Sequence, residues 1–110
     1  MRMKVSDSEL AMRAGAGDAA AFESLLSRHY DMFYRVAYRL LANVHDAEDV
    51  AHDICLALPE KLKSYSARAR FTTWAYQVAV NAARDYMRRA KSTRRAHDTW
   101  GELAVMEQAR

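Results

Sequence analysis

Apolar residues recur at three- and four-residue spacings along most of this chain, a pattern that is typical of helices with one buried face. The first segment has Ser6 and Glu9 in the positions of a capping box, which predicts a helix over about residues 7–14. Asp18 can cap a second, longer helix, whose apolar face continues to Leu41. The pattern therefore predicts a short helix followed by a long one.

A third apolar segment lies between residues 47 and 62 and fills one sector of a helical projection. Residues 43–45 break the preceding pattern, so we predict that Asp46 caps this third helix. Pro59 falls inside the segment, where proline removes one backbone hydrogen bond and crowds the preceding turn. We therefore expect a kink or an early end near that residue.

The fourth segment follows residues 63–70, a polar and basic stretch that we interpret as a loop. Thr72 or Thr73 can cap the next helix, which the apolar pattern carries to about Lys91. Three glycines and one proline leave little material for the turns of a many-stranded sheet. The predicted fold is an all-α bundle of about four helices over residues 1–92, with residues 93–110 as a polar tail or the start of a linker.

Composition narrows the class of protein. With 110 residues, 51% of them hydrophobic, the chain can build one compact core. No apolar run approaches the roughly 20 residues that cross a bilayer, and no signal-peptide core is present, so we expect a cytoplasmic protein without a membrane partner. The single cysteine, Cys55, lies at the edge of the third apolar sector, which favours a small core residue over a nucleophile.

Charge is distributed unevenly, although the net charge is only +3. Residues 46–60 carry five acidic side chains and no Lys or Arg, whereas residues 61–95 carry ten Lys and Arg against one acid. The predicted fourth helix has one polar stripe, formed by Gln77, Asn81, Arg84, Arg88 and Lys91. Arg and Lys pair with phosphates, Asn and Gln bond to base edges, and exposed aromatic rings stack on unpaired bases, so this region is a candidate DNA-binding surface.

Three groups of residues, in this order and spacing, resemble the second region of the extracytoplasmic-function sigma factors of bacterial RNA polymerase. The opening of that region is similar to Gly17-Asp18 followed by Ala21-Phe22-Glu23 and Leu26. Its third helix resembles Asp46-Ala47-Glu48-Asp49-Val50. Its DNA-recognition helix resembles Phe71-Thr72-Thr73-Trp74 with Asn81, Asp85 and Arg88-Arg89.

The resemblance implies two binding surfaces and no catalysis or cofactor. One surface would dock on the paired clamp helices of the polymerase beta-prime subunit, through Asp46, Glu48, Asp49, His52 and Asp53. The other would capture a flipped base and the adjacent non-template strand of the promoter minus-ten element, through Lys63, Ser64, Tyr65, Arg68, Arg70, Phe71, Thr72, Thr73, Trp74, Gln77, Asn81, Arg84, Arg88 and Arg89. An anti-sigma factor is a further partner that the family implies.

The sequence departs from the family at three positions of the third helix. The family usually has Gln at the position of His52, a large aromatic residue at that of Cys55 and often Trp at that of Pro59. Nothing in the chain resembles the helix-turn-helix of the family's fourth region, so we expect a fragment of a longer protein.

Other interpretations of the same residues stay open. Acids in the first turn of a helix stabilise it by about 0.3–1 kcal/mol each, and this role is compatible with docking. His45, Asp49 and His52 have helical spacings that would allow a metal site, although no fourth ligand is evident. A helical protein-interaction module or a generic DNA-binding module without a polymerase partner are the alternative functions.

Overall fold

The computed structural model describes the backbone of residues 4–108 and the side chains of residues 4–93. Within this part of the chain there are four helices and no strand, which confirms the all-α prediction. They are α1 (Asp7–Gly15), α2 (Ala19–Leu41), α3 (Val44–Leu62) and α4 (Phe71–Gln108). None of the described helices is long and apolar enough to span a membrane.

Side-chain caps set the starts of the first three helices. Ser6 and Asp18 cap α1 and α2 as predicted, each accepting a backbone N–H at 3.1 Å. The cap of α3 is Asn43, whose side-chain oxygen accepts the N–H of Asp46 at 2.9 Å. The prediction that Asp46 is the cap is therefore wrong, because the Asn43 side chain three residues earlier accepts the N–H of Asp46 itself and moves the start to Val44.

Two further helix boundaries bear on the predictions. Pro59 does not end α3, which continues to Leu62, so the early end is wrong and the kink stays a prediction. The helix α4 begins at Phe71, and the carbonyl of Arg70 accepts the first helical N–H, that of Trp74, at 3.1 Å. Thr72 and Thr73 thus lie in the first turn rather than at the cap.

The last helix is also longer than predicted. Its backbone stays helical past Lys91 to Gln108, across the segment expected to be a polar tail. The side chains beyond residue 93 lie outside the described ones. The domain boundary near residue 92 therefore stays a prediction.

The core is continuous and α2 contacts each of the other helices. Fully buried side chains from all three long helices meet there, among them Leu25, Phe33, Ile54, Leu58 and Phe71. Cys55 packs partly buried against this core, and burial raises the pKa of its thiol, which disfavours the reactive thiolate.

Candidate functional site

The loop at residues 63–70 joins α3 to α4 and turns sharply at its start. The N–H of Tyr65 donates to the carbonyl of Leu62 at 3.1 Å. Further along, Ala67 has a φ of 60°, in the left-handed region that few side chains adopt. The chain thereby turns the Tyr65 side chain inward and leaves Arg68 exposed.

Three aromatic residues expected at the DNA surface form a cluster beneath this loop. The ring of Tyr65 lies 5.2 Å from that of Trp74 and 5.8 Å from that of Phe71, edge to face with the latter. Tyr65 and Phe71 are only 5% and 2% exposed, whereas Trp74 is partly buried. This differs from the expectation of exposed stacking rings: burial of Tyr65 and Phe71 stabilises the core, and only Trp74 keeps part of its surface.

The polar side chains around the cluster face solvent. The exposed ones predicted to bind DNA are Lys63, Ser64, Arg68, Arg70, Thr72 and Thr73. Lys63 pairs with Glu60 at 2.9 Å on the surface. Among the described side chains no acid lies within ion-pair distance of Arg68 or Arg70, so both cations are available to a phosphate.

The polar stripe of α4 lies on one exposed face, next to the end of α3. Gln77 donates from its side-chain amide to the Asn81 oxygen at 2.9 Å. Asn81, Arg84 and Arg88 then line an open groove together with Lys61 of α3 and Lys91. Arg88 also pairs with Asp85, one turn earlier on the same helix. Lys61 is not among the residues predicted to bind DNA, because its position at the groove comes from the packing of α3 against α4.

Arg89 lies close to the acidic face of α3. Its Nη2 lies 3.8 Å from Asp53 Oδ2, and the two side chains are 70% and 50% exposed. Both residues line a second groove between α3 and α4. An exposed ion pair of this kind contributes at most about 1 kcal/mol, so Arg89 is held only loosely.

The acidic side chains of α3 divide into two kinds. Glu48, Asp49, His52 and Asp53 are exposed, as a docking surface requires. Asp46 is partly buried and accepts a hydrogen bond from the Tyr86 hydroxyl of α4 at 2.8 Å. That bond is the main reason why the pKa of Tyr86 is raised to about 12, because only the neutral phenol can donate the hydrogen bond. Asp46 thus joins two helices.

Leu56 lies on the exposed face of α3 with 69% of its surface accessible, although it is a large apolar residue. It stands three positions after Asp53 and four after His52, so the three side chains share one face. Leu56 is not among the residues predicted to bind polymerase. The signal in the sequence was an apolar residue that falls outside the helical sector shared by the other large apolar residues between positions 47 and 62.

The side chains of His45, Asp49 and His52 are not arranged as a metal site. Within residues whose side chains are described, no three His, Cys, Asp or Glu groups are arranged to hold a metal ion. All three are exposed on α3.

The loop, the α4 stripe and the acidic face of α3 all lie within residues 25–93, and these residues match the family described as Sigma-70 region 2. The chain belongs to this family. Sigma factors are non-enzymatic transcription initiation factors.

Curated relatives of this sigma region 2 chain are extracytoplasmic-function sigma factors. It is 35% identical to the ECF RNA polymerase sigma factor SigW of Bacillus subtilis over 75 residues, which cover 68% of the chain and 40% of SigW. It is 34% identical to SigM of Mycobacterium tuberculosis over 91 residues, 83% of the chain and 46% of SigM. The chain thus spans less than half the length of these relatives.

A solved structure supports the same assignment. An engineered region 2 of sigmaE, in complex with GTAAAA, is similar to the chain with a TM-score of 0.75 and 29% sequence identity. The similarity covers 86% of this chain and 97% of that one. The four-helix arrangement is therefore that of a sigma region 2 domain.

Proposed function

We propose that this domain docks on core RNA polymerase and recognises and melts the promoter minus-ten element at the start of transcription. The observation that carries the proposal is the separation of charge within the sigma-70 region 2 match. An acidic, exposed face on α3 lies beside a basic groove between α3 and α4. One domain thus offers a surface for a basic protein partner and another for a polyanion.

The docking surface in this proposal consists of Glu48, Asp49, His52 and Asp53, with Leu56 as an apolar anchor. Its partner is the pair of clamp helices of the beta-prime subunit. Exposed acids steer a basic partner, whereas a large apolar side chain adds affinity when the interface removes it from water. Asp46 contributes indirectly, because its bond to Tyr86 fixes α3 against α4.

The DNA surface consists of the exposed loop side chains and the α4 stripe. Arg68, Arg70 and Arg88 would bind phosphates, while Asn81 and the exposed edge of Trp74 would contact bases of the non-template strand. Melting would proceed by capture: unstacking a base costs a few kcal/mol, and stacking returns about 1–3 kcal/mol per base. Tyr65 and Phe71 support the loop from beneath.

The names of similar proteins support the proposal. SigW and SigM are named as RNA polymerase sigma factors, and the sigmaE domain was solved in complex with GTAAAA. We extend this to a cytoplasmic site of action and to an anti-sigma factor that would cover one of the two surfaces.

The first test is binding of the chain to purified bacterial core polymerase. We expect the Asp49→Ala, Asp53→Ala double variant to lose binding at least tenfold while its helical circular dichroism stays unchanged, because two exposed acids are removed. The matched control is Glu23→Ala with Asp31→Ala, which removes two exposed acids from α2. Equal losses in both variants, or no wild-type binding, would contradict the docking assignment.

A further inference from the structure

The short helix α1 lies before residues 25–93, the part of the chain that matches the family, yet it is linked to the loop at residues 63–70 at three points. It directly contacts the residue before the loop and a residue within it, and it reaches the residue after the loop through His29 of α2. Each link is of a different chemical kind.

The first contact is a close backbone approach at the end of α3. A Cβ atom added to Gly15 of α1 would lie 2.7 Å from the carbonyl oxygen of Leu62, closer than real Cβ atoms come. That same carbonyl accepts the N–H of Tyr65 at 3.1 Å. Glycine at this position therefore lets α1 pack directly on the turn that begins the loop.

The second contact is a chain of two hydrogen bonds through the loop. The Tyr65 hydroxyl donates to the carbonyl of Ala69 at 3.1 Å and lies 3.1 Å from the Ser8 hydroxyl of α1. Because the phenol has one proton and gives it to Ala69, Ser8 must be the donor to Tyr65. Ser8 thus holds in place the phenol whose bond to Ala69 ties the two halves of the loop together.

The third contact reaches the start of α4 through a buried histidine. Asp7 Oδ1 lies 3.1 Å from both Arg28 Nη1 and His29 Nε2, and the His29 ring lies 4.9 Å from that of Phe71. His29 Nε2 is buried without a hydrogen bond of acceptable geometry among the described residues, so the packing of its ring against Phe71 is the contact that links Asp7 to the start of α4. Burial alone would raise the pKa of Asp7, but its contacts with His29 and Arg28 outweigh burial and hold that pKa below its usual value.

We propose that α1 is a brace that sets the conformation of the loop at residues 63–70, and that Ser8 is a positioning residue for recognition of the DNA strand. Loops without regular backbone bonding take their shape from such outside contacts. Ser8 itself is partly buried and is not part of the DNA surface. The recognition role rests on the function proposed above, whereas the bracing of the loop does not.

The variant Ser8→Ala tests the effect of α1 on the loop without weakening the helix itself. Alanine favours a helix more than serine does, so α1 itself is not weakened. We expect backbone order parameters of residues 66–70 to fall, and affinity for a fluorescein-labelled GTAAAA single strand to fall about two- to tenfold, as expected for one hydrogen bond. Ser8→Thr, which keeps the hydroxyl, should restore both values. Met12→Ala, on the exposed side of α1, is the matched control and should change neither.

The two readouts distinguish the brace from the proposed function. An unchanged loop in Ser8→Ala, by order parameters, would overturn the brace whatever the DNA result. A loosened loop with unchanged DNA affinity would overturn the positioning role of Ser8. If the wild-type chain binds no single strand at all, the proposed function fails, and the order parameters still decide whether α1 braces the loop.

Discussion

The two proposed surfaces of this domain are built in different ways. The acidic face of α3 is a row of exposed side chains on a regular helix, each placed by the helical period alone. The recognition loop has no regular backbone, and its exposed cations depend on the buried ring cluster beneath it. A change on the docking face should therefore alter affinity and spare the fold, whereas a change beneath the loop should alter both.

The largest effect should come from Phe71→Ala. The side chain is 2% exposed and its ring contacts those of His29, Tyr65 and Trp74. Removing a buried phenylalanine ring costs about 3–5 kcal/mol, because apolar burial is lost and a cavity remains. Urea unfolding followed by circular dichroism measures the loss. A change below about 1 kcal/mol would show that the cluster does not support the fold.

Leu56→Ala should behave in the opposite way. An exposed leucine on a helix contributes little to folding, so we expect stability within about 0.5 kcal/mol of wild type. As an apolar anchor it should instead weaken binding to core polymerase about tenfold. Leu40→Ala is the matched control, since Leu40 is also exposed but lies on α2. Comparable losses of polymerase affinity in both variants would remove Leu56 from the docking surface.

The bond between Tyr86 and Asp46 predicts an alkaline transition. In the folded state the pKa of Tyr86 is raised to about 12, above its usual value of 10.0. Its contribution to stability is fully present below pH 10 and is lost as the pH rises towards 12, because the unfolded phenol ionises first. Asp46→Asn should lower the pKa of Tyr86.

Ultraviolet titration of phenolate absorbance measures this pKa. Subtracting the curve of Tyr86→Phe from that of the wild type isolates Tyr86 among the six tyrosines. A Tyr86 midpoint near 10 in the wild type would mean that the α3–α4 bond is absent in solution.

The smallest effect should separate two neighbouring arginines. Arg88→Ala should make the salt dependence of single-strand binding shallower by about 0.7 in log–log slope, the value for one phosphate contact. Arg89→Ala should change the slope less, since Arg89 faces Asp53 rather than the stripe. Anisotropy titrations at several salt concentrations provide the comparison. Equal changes in slope would assign both cations to the strand.

The sequence predicted the helices well, because the apolar period of a helix and its capping residues are local properties of the chain. The helices, the exposed stripe of α4 and the caps Ser6 and Asp18 all follow from residues close together in the chain. The cap of α3 did not follow, since Asn43 and Asp46 have similar capping side chains. Local pattern alone could not choose between them.

The loop was the part that the sequence could not resolve. Tyr65 could either face solvent or turn inward, and its contacts with Ser8 and Phe71 decide this from distant parts of the chain. Pro59 is tolerated in α3 because a helix that is packed against its neighbours can absorb one missing hydrogen bond. Tertiary contacts, which a single sequence does not display, determined both outcomes.

The contact between Asp53 and Arg89 would link the two proposed surfaces thermodynamically. A basic side chain of a docking partner that occupies Asp53 would leave Arg89 without its acid and free to attract a phosphate. By reciprocity, DNA that draws Arg89 away would leave Asp53 more open to the protein partner. Because the pair is exposed, the coupling free energy is at most about 1 kcal/mol. Binding of one partner would then raise the affinity for the other by at most roughly fivefold.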